Sequence, residues 1–116
     1  MNAAAQALSS DTYLQRILAI VMEGLRDKRV SVYLFGSRAE GRQHPVSDYD
    51  LAIDAPADED LALHRIRDAL EESTIPYTVD VVDLRLADAS LKEHIKEKGI
   101  LCGRIDVTIY GLPYIF

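Results

Sequence analysis

Two stretches of the chain, residues 10–28 and about 58–73, place apolar residues three and four positions apart, the spacing that lines one face of an amphipathic helix. A third helix is predicted over residues 87–98, with Gly99 as its C-cap after Lys96 and Lys98. Either Ser9 or Ser10 is expected to cap the first helix, because a hydroxyl accepts a hydrogen bond from a free helical N–H. The expected core positions of the first two helices are Leu14, Ile17, Leu18, Val21, Met22 and Leu25, and Leu63, Ile66, Ala69 and Leu70.

Strands are predicted between these helices. Residues 30–35 are rich in β-branched and aromatic residues, residues 48–54 alternate between apolar and other side chains, and residues 77–83 form a third strand. Residues 100–102 are expected to add a short edge strand. The link over residues 37–47 is too short for a parallel crossover, which needs a dozen or more residues including a helix. The first two strands are therefore predicted to be antiparallel.

This alternation predicts an α/β (α+β) fold in which helices flank a small mixed sheet. A length of 116 residues fits a single domain, which we expect to cover residues 1–102. Residues 103–116 are expected to form an apolar C-terminal tail. The tail either presents a surface to a partner or folds back as an added strand, since Ile105, Val107 and Ile109 alternate with other residues.

The charge balance limits the partners that the chain can bind. Thirteen Lys and Arg against nineteen Asp and Glu give a net charge of −6. Direct binding of nucleic acid through its phosphates is not expected, because such binding needs a surplus of cations. Any phosphate must instead be held by a local device such as loop amides, a helix N-terminus or a metal ion.

The remaining composition favours a cytoplasmic protein. Cys102 is the only cysteine, so the chain cannot form an internal disulfide, as expected in a reducing compartment. The N-terminal residues lack the pattern of a signal peptide, and no apolar run approaches the length of a membrane helix. We therefore expect no membrane association.

Two aspartates are the first candidate for chemistry. Asp48 and Asp50 lie two residues apart, which puts both side chains on one face of the predicted strand. Like charges so close repel unless a cation lies between them, and Mg²⁺ is commonly held by one or two carboxylates plus substrate phosphates. Asp80, flanked by valines, completes a three-carboxylate site if its strand is a neighbour, with Asp83 as the competing candidate. Without such a site, Asp48 and Asp50 are solvent-facing residues of an edge strand, and Asp80 caps a nearby loop.

Gly36 and Ser37 follow the first strand directly and form the second candidate. Glycine lets the backbone approach a ligand closely, and Ser37 begins a turn whose free N–H groups favour a phosphate. Gly41 permits another tight backbone position. Arg38 and Arg42 are either phosphate ligands or solvated surface charges.

These residues resemble a known signature. Gly36-Ser37, ten residues and then Asp48-x-Asp50 is similar to the GSx10DxD signature of the DNA polymerase beta nucleotidyltransferase superfamily. The longer strings GSRAEG and SDYDLAI resemble its small branch, the minimal nucleotidyltransferases, and VDVVDL resembles their third-carboxylate strand. The resemblance extends from about residue 10 to residue 102.

The resemblance implies roles for each of these positions. Gly36 and Ser37 would hold the triphosphate of ATP, with Arg38, Gly41 and Arg42 as further nucleotide-binding candidates. Asp48 and Asp50 would hold Mg²⁺, with two ions expected. Asp80 would hold the second ion and help to deprotonate the attacking hydroxyl. The implied reaction transfers AMP from ATP to a hydroxyl and releases pyrophosphate.

The resemblance also implies a partner. Many members of this branch are antitoxins that adenylylate a tyrosine of a HEPN ribonuclease toxin, so the expectation here is an antitoxin of a type VII-like toxin–antitoxin pair. A homo- or hetero-oligomer would bring in the acceptor. Glu40 replaces a basic residue that is common in the family's turn. This leaves two alternatives open: a catalytically weak module that neutralises the toxin by binding, and a stand-alone small-molecule nucleotidyltransferase.

Overall fold

A computed structural model describes residues 10–25, 29–55, 60–109 and 112–115, with side chains as far as Ile105. The elements in these ranges are α1 Thr12–Gly24, β1 Val30–Phe35, β2 Tyr49–Asp54, α2 Asp60–Glu72, β3 Val79–Asp83, α3 Ala89–Lys98, β4 Ile100–Ile109 and β5 Leu112–Ile115. One 3-10 turn, Leu84–Leu86, links β3 to α3. The predicted order of helices and strands is therefore confirmed.

The described strands form one mixed sheet in the order β3-β2-β1-β4-β5. Strand β1 pairs antiparallel with β2 and with β4, whereas β2 and β3 are parallel. The predicted antiparallel pairing of the first two strands is thus confirmed. The parallel register pairs Asp50 with Asp80, and neighbours in register project to the same face of a sheet.

One face of the sheet carries the main core. Apolar residues of α1, α2 and the strands form a single buried cluster there, whose members include Leu14, Ile17, Leu34, Leu51, Ile53, Leu63 and Ile66. Met22 is only half-buried, and Ala69 is exposed. Helix α3 lies on the opposite face, where Ile95 is buried outside that cluster and borders a cleft with Tyr33. Covering both faces is what allows β1 and β2 to be nearly continuous apolar strands.

Several element boundaries differ from the predictions. Asp11, not Ser10, caps α1: its carboxylate accepts a hydrogen bond from the Leu14 N–H at 3.0 Å. Ser9 and residues 26–28 lie outside the described residues, as do residues 56–59 before α2. Strand β3 begins at Val79 and not at residue 77, and α3 begins at Ala89 because Asp88 caps it.

The prediction of a short edge strand over residues 100–102 is wrong. Strand β4 runs from Ile100 to Ile109 and lies between β1 and β5. It passes close over α1 at Gly103, where an added Cβ would lie 3.1 Å from the Met22 sulfur. Residues 112–115 return as β5, antiparallel to β4, which corresponds to the added-strand alternative for this part of the chain.

No helix in the described residues has both the length and the apolar character needed to cross a bilayer.

Candidate active site at the start of β2

The turn after β1 is built on two glycines. Gly36 has φ 77° and Gly41 has φ 73°, the left-handed region in which glycine carries no Cβ penalty. The Gly36 carbonyl accepts hydrogen bonds from the N–H groups of Ala39 and Glu40 at 3.1 and 3.2 Å. Ala39 is buried and anchors this single turn to the core. The segment over residues 36–41 is thus the short turn that the sequence predicts.

Gly36 lies directly against Asp50. Phe35 and Asp50 are cross-strand partners in the β1–β2 ladder, and a Cβ added to Gly36 would collide with a carboxylate oxygen of Asp50. A side chain at Gly36 would therefore displace the carboxylate. The need for glycine here has two causes, the positive φ and this close approach.

The carboxylates of Asp48, Asp50 and Asp80 are close enough to affect one another electrostatically. Burial raises the pKa of Asp50, and the negative charges of Asp80 and Asp48 raise it further. Asp50 is half-buried, while Asp48 and Asp80 are exposed on either side of it. The structure thus brings together the three aspartates that the sequence singles out.

The donor set suits a hard divalent cation. All three groups offer carboxylate oxygens, the ligands that Mg²⁺ prefers, and a bound cation would offset the repulsion around Asp50. In the described part of the chain, no group of three or more Asp, Glu, His or Cys side chains is already arranged to hold a metal ion. The fit to a metal therefore rests on the chemistry of the donors and on their concentrated charge.

Asp80 and Asp83 have different surroundings. Asp83 is the N-cap of the 3-10 turn, accepting from the Arg85 N–H at 3.0 Å, and its carboxylate also pairs with the Arg85 guanidinium at 3.3 Å. Asp80 instead is the register partner of Asp50 and borders a cleft of about 470 Å³ with Arg67, Tyr77 and others. The contacts of Asp83 are those of a capping residue, which favours Asp80 as the third carboxylate.

The two arginines of the turn have contacts of their own. The Arg38 guanidinium donates twice to the Ser47 carbonyl, through Nε at 3.0 Å and Nη2 at 2.8 Å. Arg42 is exposed and pairs with Glu40 at 3.1 Å. Glu40 also lies 3.5 Å from the His94 imidazole of α3. Nucleotide contact by either arginine stays a prediction.

A cluster of tyrosines beside the turn escapes sequence reasoning. The Tyr77 ring meets Tyr13 and Tyr49 edge-on, with centroids 5.1 and 5.6 Å apart. The Tyr49 hydroxyl donates to Asp11 at 2.8 Å, and burial raises the pKa of Tyr49, helped by this hydrogen bond. Asp11 could have been found as the acid directly before an amphipathic helix, a common N-cap position. No local pattern announces the ring cluster.

Comparison with known proteins decides the family. The family described as "Polymerase beta, Nucleotidyltransferase" matches residues 21–106, which include the turn and all three aspartates. The chain belongs to the polymerase beta nucleotidyltransferase family. It is therefore a nucleotidyltransferase, and the resemblance inferred from the motif is confirmed.

Relatives of this nucleotidyltransferase include proteins of toxin–antitoxin pairs. It is 33% identical over 81 residues to "Probable protein adenylyltransferase MntA" of Haemophilus influenzae, covering 68% of this chain and 70% of the relative. A crystal structure of a toxin–antitoxin with AMP-PNP, an ATP analogue, shares 31% identity at a TM-score of 0.60, covering 75% of this chain and 70% of that one.

A further crystal structure concerns a variant of an MntA toxin–antitoxin pair. It shares 28% identity at a TM-score of 0.58 and covers 74% of this chain and 68% of that one. Two aspartates of that pair, two residues apart, are changed to glutamate. Asp48 and Asp50 have the same spacing in the nucleotidyltransferase described here.

Proposed function

We propose that this nucleotidyltransferase transfers AMP from ATP to a tyrosine hydroxyl of a HEPN-type toxin and so acts as the antitoxin of a toxin–antitoxin pair. The observation that carries the proposal is the position of Asp50. It lies against Gly36 of the turn, beside its register partner Asp80, and the charges of Asp48 and Asp80 raise its pKa. The toxin–antitoxin relatives, one with an ATP analogue, support the nucleotide and the kind of partner.

Each residue of the site has a proposed task. Gly36 and Ser37 would hold the triphosphate on the turn, and Asp48, Asp50 and Asp80 would hold Mg²⁺, with two ions expected. Bound Mg²⁺ would neutralise phosphate charge and polarise the phosphorus–oxygen bonds. The acceptor oxygen bonds to the α-phosphorus, the bond to pyrophosphate breaks, and the Asp80 carboxylate accepts the proton of the hydroxyl.

The cleft beside Asp80 is the proposed path of the acceptor. It lies between the end of α2 and β3 and is bordered by Asp80, Arg67, Tyr77 and Thr78. An acceptor side chain entering there would lie along the edge of the sheet next to Asp80, because β3 is the outermost described strand on that side. Use of ATP and the reduced thiol of Cys102 are consistent with a cytoplasmic reaction.

The direct test mixes the protein with ATP, Mg²⁺ and its cognate HEPN toxin and measures the intact mass of the toxin. Additions of whole AMP groups are expected, and peptide mapping should place them on tyrosine. The Asp48→Ala variant should lose the additions, whereas Asp68→Ala, an exposed position on α2, should keep them. Unchanged toxin mass with every nucleoside triphosphate would refute the proposal, and AMP transfer to a small molecule instead would redirect it.

A second candidate is neutralisation by binding alone. The observation in its favour is Glu40. Its carboxylate forms an ion pair with Arg42 and brings negative charge into the proposed phosphate turn. The discriminating experiment is protection of cells from the toxin by Asp48→Ala. Full protection would favour binding, while lost protection with a retained complex would favour catalysis.

A further inference from the structure

Arg38 makes contacts that differ from those of a phosphate ligand. Its guanidinium donates two hydrogen bonds to a single acceptor, the Ser47 carbonyl, at 3.0 and 2.8 Å. It also contacts two rings, with its central carbon 3.9 Å from the Tyr49 centroid and 5.0 Å from the Tyr77 centroid. The Arg38 side chain is half-buried, and two of its N–H groups already donate to a backbone carbonyl.

The acceptor of these bonds is informative because Ser47 directly precedes Asp48. The carbonyl that Arg38 holds belongs to the peptide that joins Ser47 to Asp48, so the arginine fixes the orientation of the backbone from which the Asp48 side chain projects. Tyr49, on the other side of Asp48, is held as well, since its hydroxyl donates to Asp11 at 2.8 Å. Asp48 itself is exposed and lies just before the first residue of β2.

We propose that Arg38 is a positioning residue: it acts through the Ser47 carbonyl to set the Asp48 carboxylate beside Asp50 and thereby sets the affinity for the divalent cation. The inference rests on the proposed metal site. It gives Arg38 a role that does not depend on phosphate contact, because the Nε and Nη2 atoms of the guanidinium already donate to the Ser47 carbonyl.

Arginine is required for this role by its shape and not only by its charge. A planar guanidinium can donate two parallel hydrogen bonds and stack on aromatic rings at the same time. A lysine ammonium keeps the charge but offers a compact point donor on a flexible stem. Lysine at position 38 should therefore fail as a positioning residue, although it would serve as a phosphate ligand.

The test compares Arg38→Lys and Arg38→Gln with the control Arg16→Gln. Arg16 also lies near a ring of the tyrosine cluster, 5.7 Å from the Tyr13 centroid, but it donates to Thr74 and not to the start of β2. Mn²⁺ affinity is measured by electron paramagnetic resonance on the chain without nucleotide. AMP-PNP affinity is then measured at saturating Mn²⁺.

Both Arg38 variants should weaken Mn²⁺ binding by about tenfold or more, the usual loss when a residue that orients a metal ligand is removed. Their AMP-PNP affinity at saturating Mn²⁺ should change far less, and Arg16→Gln should leave both affinities unchanged. Tyr77→Leu keeps both hydrogen bonds and loses one ring contact, so a loss of about threefold is expected. Thermal melting of each variant establishes that it is folded. If the Arg38 variants do not fold, the Mn²⁺ affinity of Tyr77→Leu tests the positioning role instead.

Wild-type Mn²⁺ affinity in Arg38→Lys, or a loss confined to AMP-PNP affinity in Arg38→Gln, would overturn the positioning role and leave the proposed function intact. A wild-type chain that binds no Mn²⁺ would remove the metal site itself, and this inference with it. The two failures are therefore distinguishable in one set of measurements.

Discussion

At the scale of single residues, Gly36 and Gly41 form a matched pair. Both have positive φ, 77° and 73°, but only Gly36 has a neighbour that an added Cβ would strike; nothing described lies within 4 Å of a Cβ on Gly41. Alanine at Gly41 should reduce the free energy of unfolding by about 1 kcal/mol, the strain of a left-handed L-residue, and alanine at Gly36 by at least as much, because its Cβ also strikes Asp50.

The two alanine variants should differ in activity. Gly36→Ala displaces the Asp50 carboxylate and should abolish AMP transfer, while Gly41→Ala should keep a much larger share of it. Chemical denaturation gives the two stabilities, and transfer of radiolabel from ATP gives the two rates. Equal activities would mean that the contact between Gly36 and Asp50 has no part in the reaction.

Asp50 is the residue at which stability and function are expected to conflict. Its half-buried carboxylate faces the charges of Asp48 and Asp80, so Asp50→Asn should raise the melting temperature by a few degrees in the absence of divalent cations while abolishing activity. Added Mg²⁺ should raise the melting temperature of the wild type and not that of the variant. Asp68→Asn, on the exposed face of α2, is the control. A variant less stable than the wild type without metal would contradict the argument.

Cys102 gives a prediction that depends on pH. Burial raises the pKa of its thiol to about 12, and the thiol donates weakly to the Val32 carbonyl at 3.4 Å. At pH 8 only about one molecule in ten thousand carries the reactive thiolate, so iodoacetamide should label the folded chain far more slowly than the denatured one. Labelling should accelerate about tenfold per pH unit up to the pKa of the folded thiol. Fast labelling of the native chain at pH 8 would contradict the predicted rise in the pKa of the Cys102 thiol.

The same shift affects stability with a definite sign. The thiol of the unfolded chain ionises near its ordinary pKa of 9.0, below that of the folded chain, so the folded state binds more protons between the two values. The contribution of Cys102 to the free energy of unfolding is fully present below about pH 9 and is lost as the pH rises toward 12. Cys102→Ser should flatten this part of the pH profile.

At the scale of elements, the caps of the helices are not equivalent. Asp11 caps α1 and also accepts from the Tyr49 hydroxyl, while Asp88 caps α3 through the Leu91 N–H at 2.8 Å and is exposed. Asp88→Ala should lower the free energy of unfolding by about 1 kcal/mol, the usual value of an N-cap. Asp11→Ala should cost about 2 to 3 kcal/mol, because the buried Tyr49 hydroxyl also loses its partner.

Denaturant titrations of the two variants test this difference. Adding Tyr49→Phe to Asp11→Ala should recover the part of the lost stability that comes from the unpaired Tyr49 hydroxyl, because phenylalanine has no hydroxyl to leave without a partner. Equal losses for Asp11→Ala and Asp88→Ala would show that the bond to Tyr49 adds nothing to stability.

Elements were predictable from sequence where one face of a helix or strand is buried. Periodicity identified α1 and α2 because only that spacing keeps apolar side chains on one side. Strand β1 was identified by its β-branched and aromatic composition. Strand β4 was underestimated because its full length, Ile100–Ile109, depends on pairing with β1 and β5. Its glycine, Gly103, reads locally as a terminator, whereas in the fold it is the point of close approach to Met22.

At the scale of the whole molecule, stability depends on the layer between the sheet and helices α1 and α2. Leu51, in β2, is fully buried there, and Leu101 of β4 is 48% exposed. Leu51→Ala should lower the free energy of unfolding by about 3 kcal/mol, and Leu101→Ala by less than about 1 kcal/mol. Urea denaturation compares the two truncations, which remove the same atoms. Similar losses would mean that Leu101 is covered in solution by a partner or a second copy.

The net charge of −6 also belongs to the whole molecule. It leaves phosphate binding to local devices, and the turn over residues 36–41 with the aspartates beside it is the place where such devices meet.

Local sequence patterns were enough to predict the helices, most of the strands, the antiparallel start of the sheet and the signature of a nucleotidyltransferase. Each of these depends on residues close together in the chain, where spacing alone dictates which side chains share a face. Tertiary structure decided what distant residues do to one another. Only the parallel register of β2 and β3 brings Asp80 beside Asp50, and only the fold presents the Ser47 carbonyl and the tyrosine rings to Arg38. An arginine in such a turn is interpreted as a phosphate ligand until the groups that it contacts within the fold are known.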